Sequence, residues 1–313
     1  MFAYVVRRLF ATIVVMAVVA FVVFLILYLT PGDPAAILAG DAATDDDIRR
    51  IREKLGLAEP FHVRFGGWVW GLLHGDLGVS IFTNLPVTQL IGQRVEPTLS
   101  LMLCTLVFAV GTAVPLGVIA AARAGTWVDR LVMAFSVGGF SVPVFVLAYI
   151  LIIVFSIGLE WLPVQGYRPL REGLWEWARH LVLPSIALGT VYVALIARIT
   201  RASLLDVLAQ DFVRTAQAKG LAPGAVLIRH ALKNAAVPIV TVIGIGIALL
   251  IGGAIVTETV FALPGIGRLT VDAILRRDYP IIQGVVLIFS AAYVIINLVV
   301  DLSYMFFDPR IRY

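Results

Sequence analysis

Six long runs free of Asp, Glu, Lys and Arg divide the chain: Leu9–Gly32, Pro97–Ala122, Leu131–Leu159, Leu181–Ala197, Asn234–Thr257 and Tyr279–Val300. A helix needs about 20 apolar residues to cross the hydrocarbon core of a bilayer, and all but Leu181–Ala197, the shortest, reach that length. The pattern predicts an all-α, polytopic membrane protein with six transmembrane helices. The first run follows Arg7 and Arg8, as in a secretory signal. It is longer than an h-region and ends in Thr30-Pro31-Gly32-Asp33-Pro34, without a small-x-small cleavage site, so it reads as an uncleaved anchor. The expected organisation is an N-terminal span over 1–32, an external segment over 33–96, a transmembrane core over 97–304 and a tail over 305–313.

Pro115 and the stretch Gly138-Gly139-Phe140-Ser141-Val142-Pro143 should kink the second and third spans. In the fifth, Gly244, Ala248 and Gly252 recur every four residues. Small residues on one face let two backbones approach closely, and the same face could instead line a passage. Glu258 and Asp301 stand at span ends, while the interiors carry no ionisable carboxylate or cation. Ion-coupled carriers use such intramembrane groups, so an ion-coupled secondary carrier is the weaker alternative for a transport protein.

Between the runs, basic residues set the orientation. With both ends inside, Arg7, Arg8, Arg123, Arg130, Arg198, Arg201, Arg214, Lys219, Arg229, Lys233, Arg310 and Arg312 are cytoplasmic. Among short segments this excess follows the positive-inside rule. In the long segment, Thr44 starts a helix with Asp45, Asp46 and Asp47 in its first turn and Arg49 to Lys54 later, and Gly56 ends it. Trp68, Trp70, Trp161, Trp175 and Trp177 read as interfacial anchors. The segment Glu258–Asp278, with Leu263-Pro264-Gly265-Ile266-Gly267, is expected to fold back against the bundle.

The stretch 200–234 is predicted to form two helices on the cytoplasmic side. Ser203 with Asp206 reads as a capping-box start, and Leu204, Leu208, Phe212 and Thr215 recur at helical spacing. Gly220 ends the first helix, and Pro223 opens a second that carries Arg229, His230 and Lys233. Such a hairpin can dock a partner, or pack on its own bundle or on anionic lipid.

Composition narrows the function. The chain has 60% hydrophobic and 14% charged residues and a mean hydropathy of +0.98, against about 25% charged residues in soluble domains. The net charge of +4 is loop charge and not a nucleic-acid footprint. The single cysteine, Cys104, forms no internal disulfide. There is no Gly-x-x-x-x-Gly-Lys-[Ser/Thr] loop, no His-Glu-x-x-His and no Gly-x-Ser-x-Gly, and His62, His74, His180 and His230 are scattered. No enzyme, cofactor or metal site is expected.

The stretch Gln210-Asp211-Phe212-Val213-Arg214-Thr215-Ala216-Gln217-Ala218-Lys219-Gly220, followed by Arg229-His230-Ala231-Leu232-Lys233-Asn234, resembles the cytoplasmic loop of binding-protein-dependent ABC importer permeases, in particular the B-type permease of the dipeptide/oligopeptide/nickel group. Supporting stretches are Thr30–Pro34, Gly75-Asp76-Leu77-Gly78-Val79-Ser80, Leu162–Tyr167, Glu258–Phe261, Pro264–Gly267, Arg277-Asp278-Tyr279-Pro280 and Asp308–Arg312. Arg214-Thr215-Ala216 stands where the wider superfamily has Glu-Ala-Ala. The resemblance implies a type I ABC importer permease fold and peptide uptake across the bacterial inner membrane. It implies a heterodimer with a second permease, two cytoplasmic ATPase subunits and an external solute-binding protein. It makes Arg214, Thr215, Ala216, Lys219, Gly220, Arg229 and His230 candidates for ATPase coupling. Gly244, Ala248, Gly252 and Glu258, read from the fifth span and its flank, are the candidate pathway residues.

Overall fold

A computed structural model describes residues 2–30, 32–40 and 43–307, and only the backbone of 2–9 and 302–307. Pro31 and the stretch Asp308–Arg312 lie outside the described residues, as do the side chains of Arg7 and Arg8. Fourteen α-helices follow in order among the described residues. The first five are α1 (Phe2–Leu29), α2 (Pro34–Ala39), α3 (Asp45–Lys54), α4 (Phe61–Leu73) and α5 (Val87–Ala122). Next come α6 (Trp127–Ser141), α7 (Val144–Leu151), α8 (Leu174–Leu208), α9 (Asp211–Ala218) and α10 (Pro223–Ala225). The last four are α11 (Leu232–Asn234), α12 (Ala236–Val260), α13 (Ile266–Arg276) and α14 (Tyr279–Phe307). Among the described residues five helices are long and apolar enough to cross a membrane, and the count is six when the bent pair Trp127–Ser141 and Val144–Gly158 is taken as one span.

Contacts group the chain into two units, Met1–Glu96 with Pro264–Val294 and Pro97–Leu263 with Ile295–Tyr313. The helix α13 and the start of α14 therefore pack with the N-terminal segment.

In the first unit, α3 carries the expected cap. The Thr44 N–H donates to Asp47 Oδ2 at 3.2 Å, and the Asp47 N–H donates back to Thr44 Oγ1 at 3.3 Å. The helix closes with Leu57 N–H on Arg52 C=O and Gly56 N–H on Glu53 C=O, both at 3.0 Å, and Gly56 takes φ +65°. On α4, Phe61, Phe65 and Trp68 pack edge-to-face or tilted against Phe21, Phe24 and Tyr28 of α1. Trp68 is thus a packing residue and not a free anchor, whereas Trp70 stays 67% exposed. A second core joins Val87, Leu90 and Ile91 of α5 to Leu269, Ala273 and Val285.

Three short stretches far apart in sequence close on one another in this unit. The buried Asp278 carboxylate accepts from the Ser80 hydroxyl at 2.6 Å and the Ile81 N–H at 3.3 Å. Gly78 packs on Pro280, and the Arg277 guanidinium occupies the space where a Cβ on Gly32 would project. Gly32 has φ +125°, a conformation that side-chain-bearing residues rarely adopt.

The helix α5 runs unbroken through Pro97 and Pro115. The expected start at Pro97 is ten residues late, because the polar turns around Arg94 and Glu96 are helical too. The expected break at Gly138–Pro143 is present as a 103° bend. Val142, just before the proline, is held extended at ψ 123°, so α6 stops there. The span read as Leu181–Ala197 is the middle of α8, 35 residues long, whose apolar window is 67% buried. Protein rather than lipid covers this helix, so Ser185, Gly189 and Tyr192 are tolerated in it. Trp175 and Trp177 lie on its first turn, outside any loop.

Candidate functional site

The hairpin differs from its sequence reading at its entry. Ser203 and Asp206 lie inside α8, which continues to Leu208, so they start no helix. The chain breaks at Ala209–Gln210, and α9 begins at Asp211. The predicted stop is present in full. The Leu221 N–H reaches the Ala216 carbonyl at 3.4 Å, the Gly220 N–H reaches Gln217 at 2.9 Å, and Gly220 has φ +79°. This is a Schellman closure, which needs the left-handed residue that glycine supplies. Pro223 then occupies the first turn of α10, where its missing N–H costs nothing. The returning arm of the hairpin passes through a π-helical segment, Val226–Ala231, before α11 and α12.

Val213, Ala216 and Val226 form the buried underside of the hairpin, packed on Leu208. Ala216, a candidate coupling residue, is therefore covered within the chain and serves as packing. The other candidates face outward: Arg214, Thr215, Lys219, Gly220 and Arg229 are exposed, and His230 is half-buried. Arg214 makes a loose pair with Asp211 at 3.4 Å, both side chains being more than three-quarters exposed. Three exposed apolar side chains share this part of the chain, Phe212, Leu221 and Ile228. The helical spacing of Leu204, Leu208, Phe212 and Thr215 does not carry across the hairpin entry. The break at Gln210 resets the helical phase and turns Phe212 outward.

The four pathway candidates do not form one surface. Gly244 is buried, and a Cβ there would lie 2.3 Å from Val300. Gly252 is exposed and meets nothing within 4 Å, and Ala248 is half-buried. The close approach of α12 to α8 uses other glycines: Gly246 faces Tyr192 and Gly253 faces Leu188. Glu258 is fully buried and accepts a hydrogen bond from the Thr98 hydroxyl at 2.6 Å. Close in sequence to Thr98, Ser100 lies 3.2 Å from the Tyr167 hydroxyl and accepts from the Trp177 indole at 3.1 Å. The Gly166 N–H donates to Phe261 C=O at 3.0 Å, fastening 165–167 to the end of α12. Thr98 and Ser100 carry no signal in the sequence until their distant partners are known, and Trp177, read there as an interfacial anchor, donates instead to Ser100. Among the described residues, no group of three or more His, Cys, Asp or Glu could hold a metal.

Two family models cover most of the chain. One, the N-terminal region of binding-protein-dependent transport system membrane components, matches residues 1–102. The other, the binding-protein-dependent transport system inner membrane component, matches residues 113–313. The chain belongs to this family. It is a permease subunit of an ABC importer, multi-pass in the inner membrane, and not an enzyme. Family membership sets aside the ion-coupled carrier. The permease is 56% identical over 310 residues to a probable peptide ABC transporter permease of Sinorhizobium fredii, with 99% of each chain covered. It is 43% identical over 313 residues to a putative peptide transport system permease of Brucella abortus, covering 100% of both. A glutathione transport system permease, GsiC of Salmonella typhimurium, is 42% identical, again over 100% of both chains. Among solved structures, the inward-facing MetNI methionine ABC transporter matches 71% of the permease and 97% of its own chain, with a TM-score of 0.59 at 18% identity. That likeness establishes the shared fold.

Proposed function

We propose that the permease forms, with a second permease subunit, a passage for peptide uptake, and that the hairpin 200–234 couples it to two cytoplasmic ABC ATPase subunits. Both termini are cytoplasmic in this reading, residues 33–96 are external, and a solute-binding protein delivers substrate from outside. The observation that carries the coupling role is the hairpin itself. It is closed by a Schellman turn, packed underneath by Val213, Ala216 and Val226, and exposes Leu221 and Ile228 beside Arg214, Lys219 and Arg229. Exposed apolar side chains on a rigid frame rimmed by cations have the make-up of a protein-binding patch. Ala216 holds the shape, and the six other candidates supply the contact. Peptides as substrate rest on the relatives, of which two are named for peptides and one for glutathione.

On α12, the exposed side chains Ile245, Leu249 and Val256, with Gly252 and the half-buried Ala248, offer the face that meets the second subunit and the passage. Gly244 acts in packing against Val300, and Glu258 acts behind the surface by holding Thr98.

The test is a tagged permease purified from its own host in mild detergent, wild type beside Leu221→Asp. The substitution lies on an exposed side chain, so insertion should be unchanged. Nucleotide-hydrolysing subunits should co-purify with the wild type, and the variant should lose them together with peptide uptake. An intact complex with wild-type uptake in Leu221→Asp would sink the coupling assignment.

A further inference from the structure

Two adjoining clefts open in the first unit, and no part of the transport reading uses them. One, of about 380 Å³, is largely apolar, with Phe24, Val63, Gly67, Trp68 and Ile81 in its wall. The other, of about 210 Å³, is polar and is bounded by Tyr28, Gly32, Asp33 and Arg52. Leu57, Arg64 and Tyr279 line both.

The charges around the polar cleft are unevenly matched. Arg52 is paired with Asp33, donating through Nε at 3.2 Å. Arg64 lies over the rings of Tyr28, at 5.6 Å, and Phe24, at 6.0 Å. Arg277 lies over Gly32. Neither Arg64 nor Arg277 has an ion pair among the described residues, and the Tyr279 hydroxyl is within electrostatic reach of both. Glu59, exposed at the mouth of the apolar cleft, is the other carboxylate in the walls. Arg64 and the Tyr279 phenol, whose hydroxyl donates to Gly32 C=O at 3.4 Å, line this polar space, Arg277 lies beside it over Gly32, and the paired Asp33 is the one carboxylate in its wall among the described residues.

The clefts are also ordered by depth. The polar one lies at the Leu29 end of the α1 span and the Tyr279 end of the α14 span. The apolar one reaches one turn further along both, to Phe24 and Gln283. In its wall the Trp68 indole N–H is buried without a hydrogen-bond partner among the described residues. A buried donor of that kind carries a desolvation cost that a ligand oxygen would remove.

We propose that the joined clefts form a phospholipid site. The phosphate sits between Arg64, Arg277 and Tyr279, an acyl chain lies along Phe24 and Gly67, and the Trp68 N–H donates to an ester carbonyl. Guanidinium groups match phosphate oxygens in charge and geometry. A small free anion would fill the polar cleft alone and would leave the apolar one and Trp68 without a role. The site belongs to the permease itself and does not depend on which solute it carries.

The experiment is native mass spectrometry of the full-length permease, delipidated in detergent and titrated with dioleoyl phosphatidylglycerol or with inorganic phosphate. Gly67→Leu is the decisive variant. Gly67 is in the cleft wall and a Cβ there meets no atom within 4 Å, so a bulky side chain can be added at the wall without a clash at its root. Arg64→Gln and Arg277→Asn remove the cations, and Arg276→Gln, an exposed neighbour, is the control. Phosphatidylglycerol should bind the wild type and Arg276→Gln alike, and about tenfold or more weakly to the other three, the size expected for one lost charge-assisted contact. Millimolar phosphate should not displace it. Wild-type lipid binding by Gly67→Leu overturns the proposal, as does phosphate binding that matches the lipid's affinity, which would make this a free-anion pocket. Each variant is compared only if its unfolding temperature matches wild type. If the arginine variants fail to fold, Gly67→Leu decides alone.

Discussion

The second unit is held along the lengths of its helices, and the first is held where short segments meet. In the second, glycines let helices approach: Gly117 on Thr200, Gly139 on Thr190, Gly189 on Phe108 and Gly253 on Leu188. In the first, Ser80, Asp278, Gly32 and Arg277 clasp stretches separated by up to about 250 positions, beside a knot of aromatic rings. The difference follows from the surroundings. Between helices in lipid there is little hydrophobic drive, and close steric fit supplies the attraction. Where backbone leaves the helical state, its polar groups need named partners, and a few hydrogen bonds then carry the geometry. Damage should therefore be spread by overpacking in the second unit and concentrated at single polar groups in the first.

The strongest challenge to that contrast is a buried ion pair in the second unit. Asp129, in the first turn of α6, is buried and accepts from the Arg201 guanidinium, at 2.7 Å to Oδ2, and from the Gly125 N–H at 2.9 Å. Asp129→Ala should cost about 3 kcal/mol by stranding Arg201, and the double variant with Arg201→Leu should recover part of it. Thermal unfolding in detergent reads both, and an unchanged midpoint for Asp129→Ala would show that this ion pair adds nothing to the steric fit of the unit. Next, Gly189→Val should cost about 2 kcal/mol, since its Cβ would lie 2.6 Å from Phe108. Gly111→Ala, in open space on α5, should be neutral or stabilise by up to about 1 kcal/mol. Equal effects of the two would show that fit is not what matters.

In the first unit, Asp278→Ala should cost about 2 kcal/mol and expose residues 75–86 to protease, because it removes the acceptor of Ser80 and Ile81. The smallest effect concerns α3. The Thr44 hydroxyl and N–H hold the Asp47 carboxyl below its ordinary range. A depressed folded value means the cap is fully present above the unfolded value of about 3.9 and is lost as the pH falls through the lower folded one. Hydrogen exchange of α3, corrected for intrinsic rates, should therefore be flat from pH 7 to pH 5 and rise only under stronger acid. Thr44→Ala should raise exchange in α3 at every pH.

Local chemistry was readable before the fold. The cap at Thr44, the stop at Gly56, the hairpin closure at Gly220, the helix start at Pro223 and the break before Pro143 all depend on residues within a few positions of one another. The lengths of α5 and α8 were not readable, because charged and small residues interrupt the apolar runs without interrupting the helices. The stretches around Gly32, Gly78 and Asp278 stood out individually, yet nothing in any of them indicates that they meet. The same holds for Thr98 and Glu258, 160 positions apart. A hydrogen bond across such a distance leaves no periodicity at either end.

The length of α8 has a mechanical consequence. At 1.5 Å per residue its 35 residues make a rod about 52 Å long, against a hydrocarbon core of about 30 Å. The rod is thus longer than the core by about 20 Å, and the hairpin follows its end after a two-residue joint at Ala209–Gln210. Tilting the rod by about 10° around its midpoint sweeps that end through an arc of about 4–5 Å, close to one helical pitch. A small tilt of so long a rod would therefore be magnified into a larger displacement at the hairpin.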